Sequence, residues 1–456
     1  MGLVVAVDFG STFTKAIAVD SGSGELVARA EHRTTIGSDV MDGWHACRSV
    51  LVDADRGVAK ADVLACSSAG GGLRIGVVGN EELVTAEAGR RVALSSGGRV
   101  VAVVNGGLTP TSLKELRKDR PDVVLLLGGT DGGNSAVLVK AASTLATYRW
   151  RRPVVVAGNI AAQAEIQETL ASARVPHVLA DNVVPEIGVF APDSARAAIR
   201  EMFLAHVIGG KNLSRDPAFT TMVRAATPDV VLRGVEVLAG LHGDVAVVDV
   251  GGATTDVHSV IELDPEDANL GREVVATHPV TRTVEGDLGM RWSAVPVAAA
   301  GIEAGLVPDD VALRQAAMRR HDDPSYLPDS VAGASYDETL ARIAATVAVR
   351  RHAGRQRIVF GPGGRVIERS GKDLREVDLL VGSGGVLRHN GPEVAARILG
   401  SVAANAQEEG WLVPEHPAIA VDQDYVLAGV GLLADLDPTA AAGLAGRIHG
   451  SVPAGH

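Results

Sequence analysis

Val4-Val5-Ala6-Val7-Asp8-Phe9-Gly10-Ser11-Thr12-Phe13-Thr14-Lys15 runs from an apolar strand through one carboxylate into a hydroxyl-rich turn, then out into a second strand. More than two hundred residues later Val245-Ala246-Val247-Val248-Asp249-Val250-Gly251-Gly252-Ala253-Thr254-Thr255-Asp256 repeats the pattern. A triphosphate needs backbone N–H groups at close approach, hydroxyl donors, and a carboxylate to hold the water shell of Mg²⁺. Each stretch supplies that set once, as a two-sided clamp requires. In the first, Gly10 lets the backbone approach, Ser11, Thr12 and Thr14 offer hydroxyls, and Lys15 is a point charge for phosphate. In the second, Gly251 and Gly252 form the close-approach turn, Thr254 and Thr255 offer donors, and Asp249 and Asp256 can hold metal-bound water. Asp8 to Lys15 and Asp249 to Asp256 each span one tight hairpin, so the leading and trailing side chains face the same phosphate. One Asp-x-Gly turn is commonplace between strands; two of this composition are the informative observation.

A chain of 456 residues exceeds the roughly 250–300 at which a single core stops growing, so at least two domains are expected. Hydrophobic residues make up 46% and aromatics only 3%, which suits layered α/β packing rather than an aromatic-rich sandwich. The net charge of −12, without a basic run, argues against a nucleic-acid backbone as partner. Cys47 and Cys66 lack metal-site spacing and point to a reduced, cytoplasmic setting. No signal-peptide pattern opens the chain and no stretch reaches the roughly 20 apolar residues of a membrane helix, so a soluble protein with no membrane partner is expected.

Outward from the first hairpin, Ala16 to Asp20 and Glu25 to His32 continue as a β-meander, not as the strand–loop–helix of a P-loop unit, and no GxxxxGK[ST] occurs. Between about 61 and 182 the pattern becomes apolar strands alternating with helices: Val100–Val104, Val123–Leu127, Val154–Val156 and His177–Leu179. This is the pattern of a parallel sheet covered on both faces, whose C-terminal strand ends carry Gly, Asn and Asp. The Gly128–Asn134 loop stands out among those ends. Residues 186–212 and 338–352 read as helices, and 307–335, rich in Pro, Asp and Ser, reads as a flexible segment. Domains are expected at 1–244, with the 61–182 subdomain inserted, and at 245–456.

Leu379-Leu380-Val381-Gly382-Ser383-Gly384-Gly385-Val386-Leu387 is an apolar strand entering a glycine turn, whose missing side chains leave a flat slot for adenine and ribose. These three segments, in this order, resemble the phosphate-1, phosphate-2 and adenosine motifs of the actin, sugar kinase and heat-shock ATPase superfamily. More narrowly, the chain resembles the MutL/GlmL family, accessory proteins of adenosylcobalamin-dependent glutamate mutase and related amino-acid mutases, distinct from the mismatch-repair protein of the same name. Leu127-Gly128-Gly129-Thr130-Asp131-Gly132-Gly133-Asn134, Asp181-Asn182-Val183-Val184-Pro185-Glu186-Ile187-Gly188, Arg282-Thr283-Val284-Glu285-Gly286-Asp287-Leu288-Gly289-Met290-Arg291 and Gly382-Ser383-Gly384-Gly385-Val386-Leu387-Arg388-His389 carry that narrower resemblance.

The resemblance implies an actin-like, ribonuclease H-like α/β fold of two lobes holding ATP and Mg²⁺. It implies that Asp8 and Asp249 organise the metal and its water, that Lys15 contacts phosphate, that Gly384 and Gly385 cradle the nucleoside, and that Asp256 supports the second hairpin. Glu285 is a candidate for polarising the attacking water, against a plain turn-capping role. The function implied is an ATP-hydrolysing reactivating chaperone for a mutase. Its rival is a small-molecule kinase with Asp131 or Asp181 as base, and a third reading is a non-hydrolysing nucleotide-sensing scaffold.

Overall fold

The computed structural model describes residues 2–69, 73–209, 212–263, 278–361, 364–403 and 409–450. The chain forms two compact units, the first holding Met1–Gly234 and Leu427–Leu444, the second holding most of the chain between Val235 and Val426. Residues 427–444 thus return to the first unit, which the division at 244/245 had placed with the second.

In the first unit, strand Leu3–Phe9 pairs antiparallel with Phe13–Asp20, which pairs antiparallel with Leu26–Arg33. On its other side Leu3–Phe9 runs parallel to Asp62–Ser67, and that strand runs parallel to Val223–Ala226. The sheet order is therefore third-second-first-fourth-fifth. Alternation explains its two faces: Val5, Val7 and Phe9 enter the core with Trp44 and Leu51 of helix Val40–Ala54, while Asp8 lies on the opposite face. Asp39 starts that helix by accepting from the Met41 N–H at 2.9 Å.

Between the fourth and fifth strands the same unit carries a second sheet, Leu73–Val78, Gly98–Val104, Val123–Leu126, Val154–Val156 and His177–Leu179. All its pairings are parallel, in the order second-first-third-fourth-fifth. Val123 to Leu126 are all buried, as an unbroken apolar run in a doubly covered sheet should be.

The second unit repeats the first sheet. Val245–Val250 is antiparallel to Thr255–Val260, which is antiparallel to Val280–Glu285; Val245–Val250 is parallel to Leu379–Ser383, and that to Ala418–Val421. Helix Val331–His352 packs Leu340, Ala344 and Ala348 against Ala246, Val248 and Val257. The segment 307–335 is not a loop as expected. Val311–Asp322 is a helix capped by Asp310, whose carboxylate accepts from the Ala312 N–H at 3.0 Å, with Leu313, Ala317 and Arg320 buried. Its Asp and Arg content disguised a helix whose inner face is narrow. Arg355–Gly361 pairs antiparallel with Gly364–Ser370 as a separate hairpin.

His352 ends the long helix inside the second unit. Its Nε2 lies 2.7 Å from Lys372 Nζ and its Nδ1 2.9 Å from Thr283 Oγ1. An ammonium only donates, so Nε2 accepts and the neutral ring carries its proton on Nδ1. Burial, and then the Lys372 charge, hold its pKa well below the usual histidine value; burial, and then Arg282, do the same for His258. Both rings stay neutral in the folded unit where the unfolded chain would take up protons. Stability is therefore complete above the unfolded value near 6.5 and declines as pH falls below it, by up to about 1.4 kcal/mol per pH unit for each ring. Urea unfolding between pH 7.5 and 5 checks this: His352→Gln should flatten the decline by about half, and a stability unchanged down to pH 5 would refute it.

Candidate functional site

Both hairpins are built alike. The Gly10 N–H donates to the Phe13 carbonyl at 3.1 Å, and the Gly251 N–H to the Thr254 carbonyl at 2.9 Å. A Cβ on Gly10 would stand 2.5 Å from the Phe13 oxygen, and one on Gly251 2.8 Å from that of Thr254, so both turns need glycine. Asp8 stands directly across from Lys15, and Asp249 directly across from Asp256.

Neighbouring segments then pull the tip carbonyls backward. The Thr34 hydroxyl donates to Gly10 O at 2.8 Å and its N–H to Thr12 O at 2.9 Å. In the second hairpin Met290 N–H donates to Gly251 O at 2.9 Å, Arg291 and Trp292 N–H to Gly252 O at 2.8 and 3.0 Å, and the Ser293 hydroxyl to Ala253 O at 2.8 Å. The tip carbonyls are thus taken up by neighbouring segments, while the N–H groups of Ser11, Thr12, Gly252 and Ala253 have no acceptor among the described residues. Each hairpin, taken by itself, thus carries two N–H donors on a glycine turn and a carboxylate at the strand end, with exposed Ser11 and Thr12 hydroxyls added in the first, a donor set that suits phosphate oxygens and a hydrated divalent cation.

The two carboxylates differ. Asp8 is only 4% exposed, and its Oδ1 accepts from the Thr227 hydroxyl at 2.5 Å and the Cys66 thiol at 3.5 Å. Burial, with the Asp8 charge second, pushes the Cys66 thiol well above its usual pKa, so it stays a neutral S–H donor. Asp249 is half-buried, and Ser383 occupies opposite it the register position that Cys66 takes opposite Asp8.

Other expected residues sit as follows. Thr14 and Thr255 are wholly buried and turned inward, Thr14 Oγ1 3.3 Å from Thr34 Oγ1 and Thr255 donating to Leu288 O at 2.5 Å, so their hydroxyls hold the hairpins rather than face out. Thr254 is half-buried. Lys15 is half-buried, with Glu31 across its other side. Asp256 accepts from Arg282 at 2.9 Å. Gly382 and Ser383 are buried in the strand, where a Cβ on Gly382 would meet Leu387 at 2.8 Å, a packing constraint. Gly384 has φ +99° and no room for a side chain: a Cβ would lie 2.2 Å from Val250 O and 3.1 Å from Asp249 Oδ1. Exposed Gly385 follows at the start of helix Gly385–Arg388. Glu285 accepts from Arg351 Nη1 at 2.8 Å, and the same guanidinium binds Asp287 at 2.7 and 3.0 Å, which lowers the Asp287 pKa.

Sequence reasoning missed Thr34 and Thr227 at the first hairpin and Arg351 beside Glu285. No local signal marks them: each reaches its partner from another element.

Five strands in the order third-second-first-fourth-fifth, three antiparallel and two parallel, are the ribonuclease H-like sheet, and its duplication in one chain is the actin-like ATPase and sugar kinase fold. Within that class the chain belongs to the MutL family, described as MutL protein, which matches residues 4–448. It is 34% identical over 448 residues to Protein MutL of Clostridium tetanomorphum, covering 95% of this chain and 96% of that protein. Among solved structures it is similar to a nucleotide-free acetone carboxylase, with TM-score 0.41, 15% identity, and coverage of 94% of this chain and 70% of that one. It is also similar to xylulose kinase from Bifidobacterium adolescentis, with TM-score 0.32, 11% identity, and coverage of 100% and 95%. No helix among the described residues is long and apolar enough to cross a membrane.

Proposed function

We propose that the protein binds and hydrolyses Mg²⁺–ATP in the cytoplasm and, as an accessory chaperone, uses that turnover to reactivate an adenosylcobalamin-dependent amino-acid mutase of the glutamate mutase type. The observation that carries the nucleotide reading is the repeated hairpin: in each, the tip carbonyls are bonded by neighbouring segments while two tip N–H groups have no acceptor among the described residues. In this reading the Ser11, Thr12, Gly252 and Ala253 N–H groups, with Gly10 and Gly251 clearing the approach, bind phosphate oxygens. Lys15 adds a positive charge, and Asp8 and Asp249 hold the water shell of Mg²⁺. Gly384 and Gly385 form the nucleoside ledge. Glu285, oriented by Arg351, is the candidate for directing the attacking water. The mutase partner is supported by membership of the MutL family.

Phosphate release from ATP, with and without a purified adenosylcobalamin-dependent mutase, tests the proposal. Basal turnover that rises severalfold with the mutase is the expected result. Turnover raised only by a small-molecule acceptor would establish the kinase instead, and nucleotide binding without turnover the scaffold.

A further inference from the structure

At the C-terminal edge of the inserted parallel sheet, three loops lock onto one carboxylate. Asp131 Oδ1 accepts from the Ile160 N–H at 3.0 Å and from Asn182 Nδ2 at 2.8 Å, while the Asp131 N–H donates to the Pro185 carbonyl at 2.9 Å. Two buried asparagines brace the loop. Asn159 Nδ2 donates to Gly133 O at 2.9 Å and its Oδ1 accepts from Gly132 N–H at 3.3 Å, while Asn182 Nδ2 also donates to Gly129 O at 3.0 Å. One oxygen of an exposed carboxylate is thereby fixed by two donors, which sets the direction of the other, and no partner among the described residues takes Oδ2.

The loops that bond this carboxylate also carry exposed apolar and acidic residues. Ile160, which donates to Asp131, is 52% exposed; Ile187, two residues beyond Pro185, is 80% exposed; Val189 is 43% exposed. Exposed Asp181 and Glu186 adjoin the loop residues that bond Asp131, and exposed Gly132 leaves open space above the loop. Three exposed large aliphatic side chains on the loops that bond one oriented charge match the composition of a protein-docking centre, in which apolar anchors accompany a charged pair. An isoleucine left four-fifths exposed suits a macromolecular face better than a pocket enclosing a small ligand.

We propose that this edge docks a partner protein through a basic, apolar-flanked segment, with an arginine or lysine of the partner on Asp131 Oδ2 and its neighbouring side chains on Ile160, Ile187 and Val189. The sign of the charge selects the occupant. Carboxylates repel a nucleic-acid backbone, and a second copy of a chain of net charge −12 would bring like charge to an already acidic face. The inference does not depend on the nucleotide reading, since every group in it lies in the inserted sheet and its loops.

The test titrates the full chain with two fluorescein-labelled peptides, one alternating leucine with arginine and one alternating leucine with glutamate, against wild type, Asp131→Asn and Ile187→Asp. The proposal expects the arginine peptide to bind wild type, each substitution to weaken it at least tenfold, and the glutamate peptide not to bind. Ile187 is so exposed that its substitution leaves the fold alone, which unchanged circular dichroism would verify. Equal binding by wild type and both variants would overturn the proposal, as would displacement of the peptide by equimolar free arginine amide, or wild-type dimerisation abolished by Ile187→Asp.

Discussion

On the proposed reading, Asp8→Asn and Asp249→Asn should each lower ATP turnover by about 10²-fold or more, because that reading gives each carboxylate a fixed charge to balance metal and developing negative charge. Asparagine keeps the shape and one acceptor oxygen at either site. The choice matters at Asp8. Its oxygen receives the Thr227 hydroxyl at 2.5 Å in a site only 4% exposed, so Asp8→Ala would also strand a buried donor, at roughly 1–3 kcal/mol. Turnover of both asparagine variants, measured with thermal unfolding on the same samples, separates the two effects. Wild-type rates in both variants would remove these carboxylates from the site.

Asp337→Ala should strongly destabilise the second unit. Asp337 accepts from Arg320 Nε at 2.5 Å and from both Arg291 terminal nitrogens at 3.3 and 3.1 Å. Arg320 is only 1% exposed, so losing its carboxylate leaves a buried charge uncompensated, a loss of about 3–5 kcal/mol. In a unit of this size that lowers the unfolding midpoint by roughly 10 °C. A second consequence follows from Arg291, whose N–H holds the Gly252 carbonyl while its guanidinium rests on Asp337. Loosening that anchor lets the tip of the second hairpin move, so nucleotide affinity should fall at temperatures where the variant is still folded. Calorimetry and nucleotide titration at 15 °C read the two effects; a midpoint shift below 2 °C would contradict the assignment.

Much of the hairpin geometry was legible because it is local. A strand, an aspartate two residues before a glycine, and a run of hydroxyls fix a turn within eight residues, and the structure returns Asp8 opposite Lys15 and Asp249 opposite Asp256. The positive φ of Gly384 likewise follows from a strand entering a glycine pair. Which hydroxyls face outward was not legible. Thr14 and Thr255 look like Ser11 and Thr12 in the sequence, and only the strand pleat, with Thr34 and Leu288 arriving behind it, turns them inward. The helix Val311–Asp322 was hidden for a related reason: a helix resting one narrow stripe on a core shows mostly charge to a reader of composition.

The sequence by itself determined that this is an α/β protein of more than one domain with two matching acidic hairpins, since apolar strand runs and turn chemistry depend on neighbours along the chain. Only the tertiary structure decided that each hairpin opens the same five-stranded sheet, that Thr227 reaches Asp8 across 219 positions, and that the Gly129–Gly133 loop is braced by Asn159 and Asn182. Those are long-range hydrogen bonds, and their partners are set by which strands pair and which side chains burial forces to find a donor or acceptor.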